Sequence, residues 1–333
     1  MVPIGSSDLL VSRLGLGGSS LGGMYRESSD VEAENVIEKL LQLGLNYIDT
    51  APYYGSGNSE DRIGRVLAGI DRKSFVISTK VSELILEDQQ LKRRSIFAGK
   101  NRNVVRDYSR DGTLRSIEGS LERLKIDYID IVYIHDTYEP FVKQAIEETL
   151  PTLIELKSQN VIKALGVGMG DCDIFIRFAE EAEFDCFLLW GKYSLLNQEA
   201  FAALLPLCKE KNISIVLGAP YESGILASDL TSGTAVNYRY HQAPPDVLTR
   251  AKKIEAICRR HNVPLKAAAM QFIFGHPAVT TVIPGTRSPE RLAENSMMMQ
   301  VPIPPELWSD LKSDSLLPEA VPVPPTAALV KEE

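Results

Sequence analysis

Short apolar runs rich in strand-forming residues alternate with amphipathic helical stretches from one end of this chain to the other, and no other feature restricts its fold as strongly. Candidate strands fall at residues 13–17, 46–49, 75–80, 128–135, 164–168, 186–189, 214–218 and 280–284. Segments with helical period cover 31–43, 61–67, 113–124, 145–157, 174–183, 199–211 and 245–261. Such alternation implies parallel strands joined by right-handed crossovers. Eight strands suit a closed α/β barrel of the (β/α)8 type, and 333 residues is an ordinary length for one. A doubly wound open sheet would alternate in the same way, so periodicity does not choose between the two. No internal boundary stands out. The expectation is one barrel domain over 1–317, with long loops on its C-terminal face, and a Pro-rich tail over 318–333 that is poorly ordered or draped over the surface.

The positions of the polar residues favour the barrel. Asp49, Lys80 and His135 each end a different apolar run, in NYID, FVISTK and DIVYIH. One ionisable group at a strand end is usually a solvated boundary residue. Three of them, with a Tyr-Tyr-Gly turn after the first, converge only if those strand ends share a face, and in a barrel that face carries the active site.

Composition removes several function classes. Hydrophobic residues make up 44% and charged residues 24%, as in a chain with a full core. A net charge of −8 argues against nucleic acid as the main partner. Residues 1–23 contain no continuous apolar segment, and no run approaches the roughly 20 apolar residues of a membrane span. Cys172, Cys186, Cys208 and Cys258 are scattered without a C-x-x-C pair, so reduced thiols in a cytoplasmic protein are expected. His135, Asp136 and Glu139 could be read as metal ligands, but neighbours on a strand point to opposite faces, and no metal is expected. Gly15-Leu16-Gly17-Gly18-Ser19-Ser20 nearly satisfies a dinucleotide fingerprint, but Ser20 stands where the third glycine should open a helix. The basic stretch 83–111, with Lys92, Arg93, Arg94, Lys100, Arg102, Arg106 and Arg110, follows the third strand. It is either a solvated loop or a cover over the substrate face.

The set Asp49-Thr-Ala-Pro-Tyr-Tyr54-Gly55, Ser78-Thr79-Lys80 and Tyr133-Ile134-His135-Asp136 resembles the aldo-keto reductases, and the likeness runs from residue 13 to about 295. It implies a catalytic tetrad of Asp49, Tyr54, Lys80 and His135; spacing from Asp49 and the following Gly55 favour Tyr54 over Tyr53. The residue types suit hydride chemistry. Reducing a carbonyl leaves an alkoxide that must receive a proton, and a free phenol, with a pKa near 10, is too weak an acid without help. A neighbouring ammonium is expected to lower that pKa, Asp49 to hold Lys80 in place, and His135 to orient the substrate oxygen.

The resemblance also implies a nicotinamide cofactor. Gly17 and Gly18 after the first strand, Asp49, and Gly168 after the fifth would line it. So would Trp190 after the sixth, and Tyr221, Gly224 and Leu226 after the seventh. Ile283, Gly285, Thr286, Arg287 and Arg291 follow at the eighth, where a strand, a Gly turn and a helix N-terminus make a natural anion site. Glu294 and Asn295 would contact the adenine. NAD and NADP both remain open, with a slight lean to NAD because Gly285 stands where NADP-specific members often carry a lysine. The common Ser-Asn pair is replaced by Gly168-Met169-Gly170, and Gly218 stands where an aromatic often faces the nicotinamide. Trp190 or Tyr221 could replace that surface, or Trp190 could be core.

Several stretches, APYESGIL and AAAMQFIFGHPAV among them, are similar to a branch containing aldose 1-dehydrogenases and pyridoxal 4-dehydrogenase. That branch implies oxidation of a cyclic hemiacetal, with a sugar, an aldehyde or a pyridoxal-like molecule as the small-molecule substrate. Glu222 stands where the branch tends to have Asn. An NADPH-dependent carbonyl reductase and a non-catalytic nicotinamide-binding regulatory subunit are the alternatives. The protein is expected to be a monomer or a weak homo-oligomer.

Overall fold

The structure, a computed structural model, describes residues 1–86 and 103–325. Eight parallel strands form its centre: β1 (Leu16–Gly17), β2 (Tyr47–Asp49), β3 (Val76–Val81), β4 (Ile129–His135), β5 (Ile162–Met169), β6 (Cys186–Trp190), β7 (Ser214–Gly218) and β8 (Val279–Ile283). They lie side by side in chain order. What decides between barrel and open sheet is the join between first and last. The Gly15 N–H donates to the Val282 carbonyl at 2.8 Å, and the Val282 N–H to the Arg13 carbonyl at 3.0 Å. Parallel bridges link Leu14 to Val282 and Gly17 to Gly285. The sheet is a closed barrel.

The period of two along each strand sorts the core into two shells. Tyr47, Ile131, Tyr133, Ala164, Cys186, Leu188, Val216 and Ile283 fill the interior. Ile48 and Ile77 on one side, and Val132, Val167, Phe187 and Leu217 on the other, pack outward against helices. An antiparallel hairpin of Val2–Pro3 and Leu10–Val11 closes the N-terminal end and buries Ile4 and Val11 in the interior cluster.

The helices are α1 (Asp30–Gln42), α2 (Asn58–Leu67), α3 (Arg110–Leu124), α4 (Leu150–Ser158), α5 (Cys172–Glu181), α6 (Leu204–Glu210), α7 (Pro245–Arg260), α8 (Leu265–Phe272), α9 (Pro289–Met298) and α10 (Pro305–Ser313). Side chains cap several of them: Ser29 and Glu32 form a capping box on α1, and Ser109, Asp171 and Ser288 cap α3, α5 and α9. Where a single helix is expected over 145–157, Ala145–Thr149 form a π turn before α4. The stretch 199–211 likewise divides into a short turn and α6. The basic segment after β3 contains an antiparallel hairpin, Glu83–Leu86 with Asn103–Arg106. Its Lys92, Arg93, Arg94, Lys100 and Arg102 lie outside the described residues, as do residues 326–333 of the tail. The tail before that point packs on the body: Val321 is buried, and the Pro322 carbonyl sits against Gly275. No helix among the described residues is long and apolar enough to cross a membrane.

Candidate active site

β2, β3 and β4 end side by side, which brings Asp49, Lys80 and His135 to one mouth of the barrel. All three are buried. The Lys80 Nζ donates to both Asp49 oxygens, at 2.9 and 2.7 Å, and to the Thr50 carbonyl at 2.7 Å. Below them, Ser78 Oγ donates to Asp49 Oδ1 at 2.8 Å, and the Tyr47 and Tyr133 hydroxyls extend the chain down the barrel axis at 3.0 Å per step. An ion pair removed from water needs this kind of full hydrogen bonding to be tolerated.

Tyr54 follows β2 in a turn that is fixed from two sides. Gly55 has φ 66°, and a Cβ there would meet the Gly22 carbonyl oxygen at 2.1 Å, so the two backbones cross in contact. Ser59 Oγ, at the start of α2, donates to the Gly18 carbonyl at 2.9 Å. The turn places the Tyr54 ring 4.7 Å from Lys80 Nζ and edge-on to His135, with centroids 6.1 Å apart. Tyr53 also reaches His135, at 6.4 Å.

Sequence reasoning expects Lys80 to lower the Tyr54 pKa, and the structure shows the opposite balance. Burial pushes the phenol well above its ordinary value, and Asp49, Asp136, Tyr240 and Glu83 add to the shift. The reason is geometric. The ammonium faces the ring and is already held by Asp49 and Thr50. At neutral pH Tyr54 rests as a phenol.

Sequence reasoning missed Glu83. It is 2% exposed, and its Oε2 lies 2.7 Å from His135 Nδ1. A lone acid opening a polar segment carries no periodic signal; only its distance of three residues from Lys80 could have drawn notice.

The residues expected to line a cofactor sit at the C-terminal ends of β1, β5, β6, β7 and β8 and in the segments that follow them. Gly17 and Gly18 end β1 beside Asp49, and Gly168 lies on β5. Trp190 closes β6 and is half-buried, whereas the four residues before it are buried. A Cβ on Gly170 would meet the indole at 2.9 Å, so the glycine there makes space for Trp190, whereas a Cβ on Gly218 would stand in ordinary contact 3.5 Å from Leu188 and from the Trp190 Cβ. Tyr221 donates to Asn295 Oδ1 at 3.0 Å, tying the β7 turn to α9. Glu294 pairs with Lys266 at 2.6 Å. The Leu226 and Ile283 side chains are core, so only their backbones can face a ligand. Thr286 Oγ1 accepts from the Ser288 N–H at 3.1 Å. Arg287 donates to the carbonyls of Met24 at 2.7 Å, Arg26 at 3.0 Å and Glu27 at 3.2 Å. It therefore holds the loop after β1.

Three features of these segments suit a dinucleotide. Gly224 has φ 105° with nothing within 4 Å of where a Cβ would stand. Arg291 lies in the first turn of the capped helix α9, and Trp190 supplies a flat apolar face beside Tyr240, with ring centroids 6.1 Å apart. A cleft of about 810 Å³ lies at the opposite end of the barrel between Asp130, Asp185, Lys157 and the N-terminal hairpin, away from these groups.

The sequence pattern of the aldo/keto reductase family matches residues 13–314, and the chain belongs to that family. It is an NAD(P)-dependent oxidoreductase. It is 34% identical over 319 residues to D-threo-aldose 1-dehydrogenase of a Pseudomonas species, covering 94% of this chain and 97% of that one. It is also 34% identical over 334 residues to pyridoxal 4-dehydrogenase of Microbacterium luteolum, with the same two coverages, 94% and 97%. Among solved structures, an aldo-keto reductase of Bacillus halodurans in its holo form superposes with a TM-score of 0.76 at 25% identity, covering 96% of each chain.

Glu222, in the β7 turn, is 2% exposed and accepts from Ser194 Oγ at 2.7 Å, with Arg239 Nε at 4.0 Å. Burial raises its pKa, partly offset by Ser194 and Arg239. A carboxyl with a raised folded pKa contributes stability below its unfolded pKa and loses it as pH rises through the folded value. Glu222→Gln keeps the acceptor for Ser194 and removes the charge. Its melting temperature is expected to exceed that of the wild type by about 1–2 °C at pH 7 and to match it near pH 4. A lower melting temperature at pH 7 would contradict the reading.

Proposed function

We propose that this protein oxidises the anomeric carbon of a sugar hemiacetal to a lactone, with NAD as hydride acceptor and Tyr54 as the residue that exchanges the proton. The convergence of the Asp49–Lys80 pair, Tyr54 and His135 at one mouth carries this reading, and the aldose dehydrogenase among the relatives supports the substrate class. A nicotinamide held by the segments after β1, β5, β6, β7 and β8 would supply the hydride chemistry. In oxidation Tyr54 acts from its deprotonated form: Lys80 beneath the ring stabilises the phenolate, which takes the hemiacetal hydroxyl proton and becomes the neutral phenol. Asp49 keeps Lys80 under the ring. His135 holds the substrate oxygen in line through Nε2, since Nδ1 is taken by Glu83.

One observation favours a second reading. A phenol whose pKa is raised by burial is loaded for proton donation, which suits reduction of an aldehyde or ketone. One experiment separates the two. The protein is incubated with NAD or NADP against aldoses and pyridoxal, and with NADPH against aldehydes, while absorbance of the reduced cofactor is followed. Sugar-dependent formation supports the first reading, and NADPH consumption without it supports the second. Tight cofactor binding with no turnover on any substrate would defeat both and favour a regulatory subunit.

The preference for NAD rests on charge. Arg287 is occupied by three carbonyls and Gly285 brings no cation, leaving Arg291 to meet a 2′-phosphate. Arg291→Ala is expected to raise KM for NADP about tenfold, the value of one charged hydrogen bond, and to leave KM for NAD unchanged. Equal effects on both cofactors would remove Arg291 from that role.

A further inference from the structure

We propose that Glu83 is a positioning residue of the reaction: its carboxylate holds the proton on His135 Nδ1 and fixes the ring so that Nε2 is the nitrogen presented to the substrate oxygen. The inference rests on the proposed role of the pocket and adds a member to it.

The geometry comes from how β3 ends. Val81 closes the strand, Ser82 takes φ 82°, and the chain turns directly into the hairpin Glu83–Leu86 with Asn103–Arg106, still buried at Glu83 and Leu84. A non-glycine residue in that region persists only where its surroundings hold it. Here the hold is visible. The Glu83 carbonyl accepts from Ser116 Oγ of α3 at 3.2 Å, and Glu83 pairs with Arg106 across the hairpin. The carboxylate is thereby carried under the imidazole, 2.7 Å from Nδ1, with both groups buried.

A carboxylate only accepts hydrogen bonds, so Nδ1 must carry the proton at this distance. Nε2 is left facing the pocket, 3.7 Å from Asp136 Oδ2. The charged and titratable groups facing His135 are Glu83 from the hairpin, Asp136 beside it, Lys80 from β3, and Tyr53 and Tyr54 from the turn after β2. Tyr108 donates to its backbone carbonyl at 3.1 Å. Burial disfavours the imidazolium, but Glu83 and Asp136 outweigh burial and Lys80, and the His135 pKa lies above its ordinary value. In the doubly protonated ring Nε2–H donates to a carbonyl or a developing alkoxide, and in the neutral Nδ1–H ring Nε2 accepts from a substrate hydroxyl. Asp49 holds Lys80 under Tyr54; Glu83 holds His135 in the same manner. Each side chain facing the reacting atoms has a buried carboxylate behind it.

The test compares Glu83→Gln and Glu83→Leu with the wild type, using [15N]histidine-labelled protein in which His135 is assigned from His135→Asn. Glutamine keeps an acceptor for Nδ1–H and loses the charge, while leucine loses both. In Glu83→Gln the His135 titration midpoint is expected to fall by roughly 1–2 pH units while Nδ1 stays protonated. In Glu83→Leu the proton is expected to redistribute to Nε2. The kcat should fall about 10- to 100-fold, more for leucine than glutamine, with cofactor affinity unchanged and the low-pH part of the kcat profile displaced along with the midpoint. Cofactor titration of each variant shows that it is folded. A His135 titration and nitrogen shifts identical to wild type in Glu83→Leu would overturn the proposal. The nitrogen spectra need no turnover, so an active Tyr54→Phe enzyme would refute the acid–base role of Tyr54 and leave this result to be judged separately.

Discussion

Tyr54→Phe is expected to lower kcat about 10²- to 10⁴-fold, the range that one positioned acid–base group supplies, while cofactor affinity stays at the wild-type level. The substitution removes only the hydroxyl. The ring keeps its place over Lys80 Nζ and beside His135, because the crossing of Gly22 and Gly55 and the Ser59 contact fix the turn through the backbone. The loss should therefore fall on kcat and kcat/KM together, the mark of an interaction made in the transition state. The pH dependence follows from the raised phenol pKa. Oxidation needs Tyr54 to accept a proton and should speed up as pH rises, whereas reduction needs the phenol and should stay flat through neutrality. Steady-state rates of both directions across pH check this, and full activity in Tyr54→Phe would discredit the assignment.

Lys80→Met should be damaging in two ways at once. Asp49 is 2% exposed, and its two oxygens take Lys80 at 2.9 and 2.7 Å. Removing the ammonium leaves a buried carboxylate to which Ser78 Oγ still donates, and breaking such a pair costs about 3–5 kcal/mol. Activity should also fall by at least the amount lost in Tyr54→Phe, because the charge under the ring disappears. The double variant Asp49→Asn, Lys80→Met tests the cause. Removing both charges should recover much of the stability and none of the activity. Chemical denaturation separates the two effects, and a double variant no more stable than Lys80→Met would show that the ion pair is not what the fold loses.

The parts of this site that could be read before the fold was known are those coupled to periodicity. Asp49, Lys80 and His135 could be found because each interrupts an apolar run at its end, where β2, β3 and β4 reach the barrel mouth. The barrel itself followed from the same three residues, whereas its closure rests on bonds between residues 13–17 and 282–285 that no local pattern encodes. Glu83 was not legible. It meets His135 only because Ser82 bends the chain into a hairpin, and its partner lies 52 positions away. Arg287 was legible as a charge at a helix N-terminus, but its commitment to the carbonyls of residues 24–27 is a tertiary fact. The Tyr54 pKa was misjudged for a related reason. Spacing brings an ammonium near a phenol, but it does not say that the ammonium faces the ring or how deeply the hydroxyl is buried.

The most direct measurement is a single-turnover reaction of the wild type and Tyr54→Phe with NAD and an aldose carrying deuterium at C1. The label should arrive at C4 of the reduced nicotinamide, with a primary isotope effect in the wild type and a collapse of the same step in the variant. Reduced cofactor that carries no deuterium, or a variant that transfers it as fast as the wild type, would contradict a site in which one phenol handles the proton while hydride crosses directly between carbons.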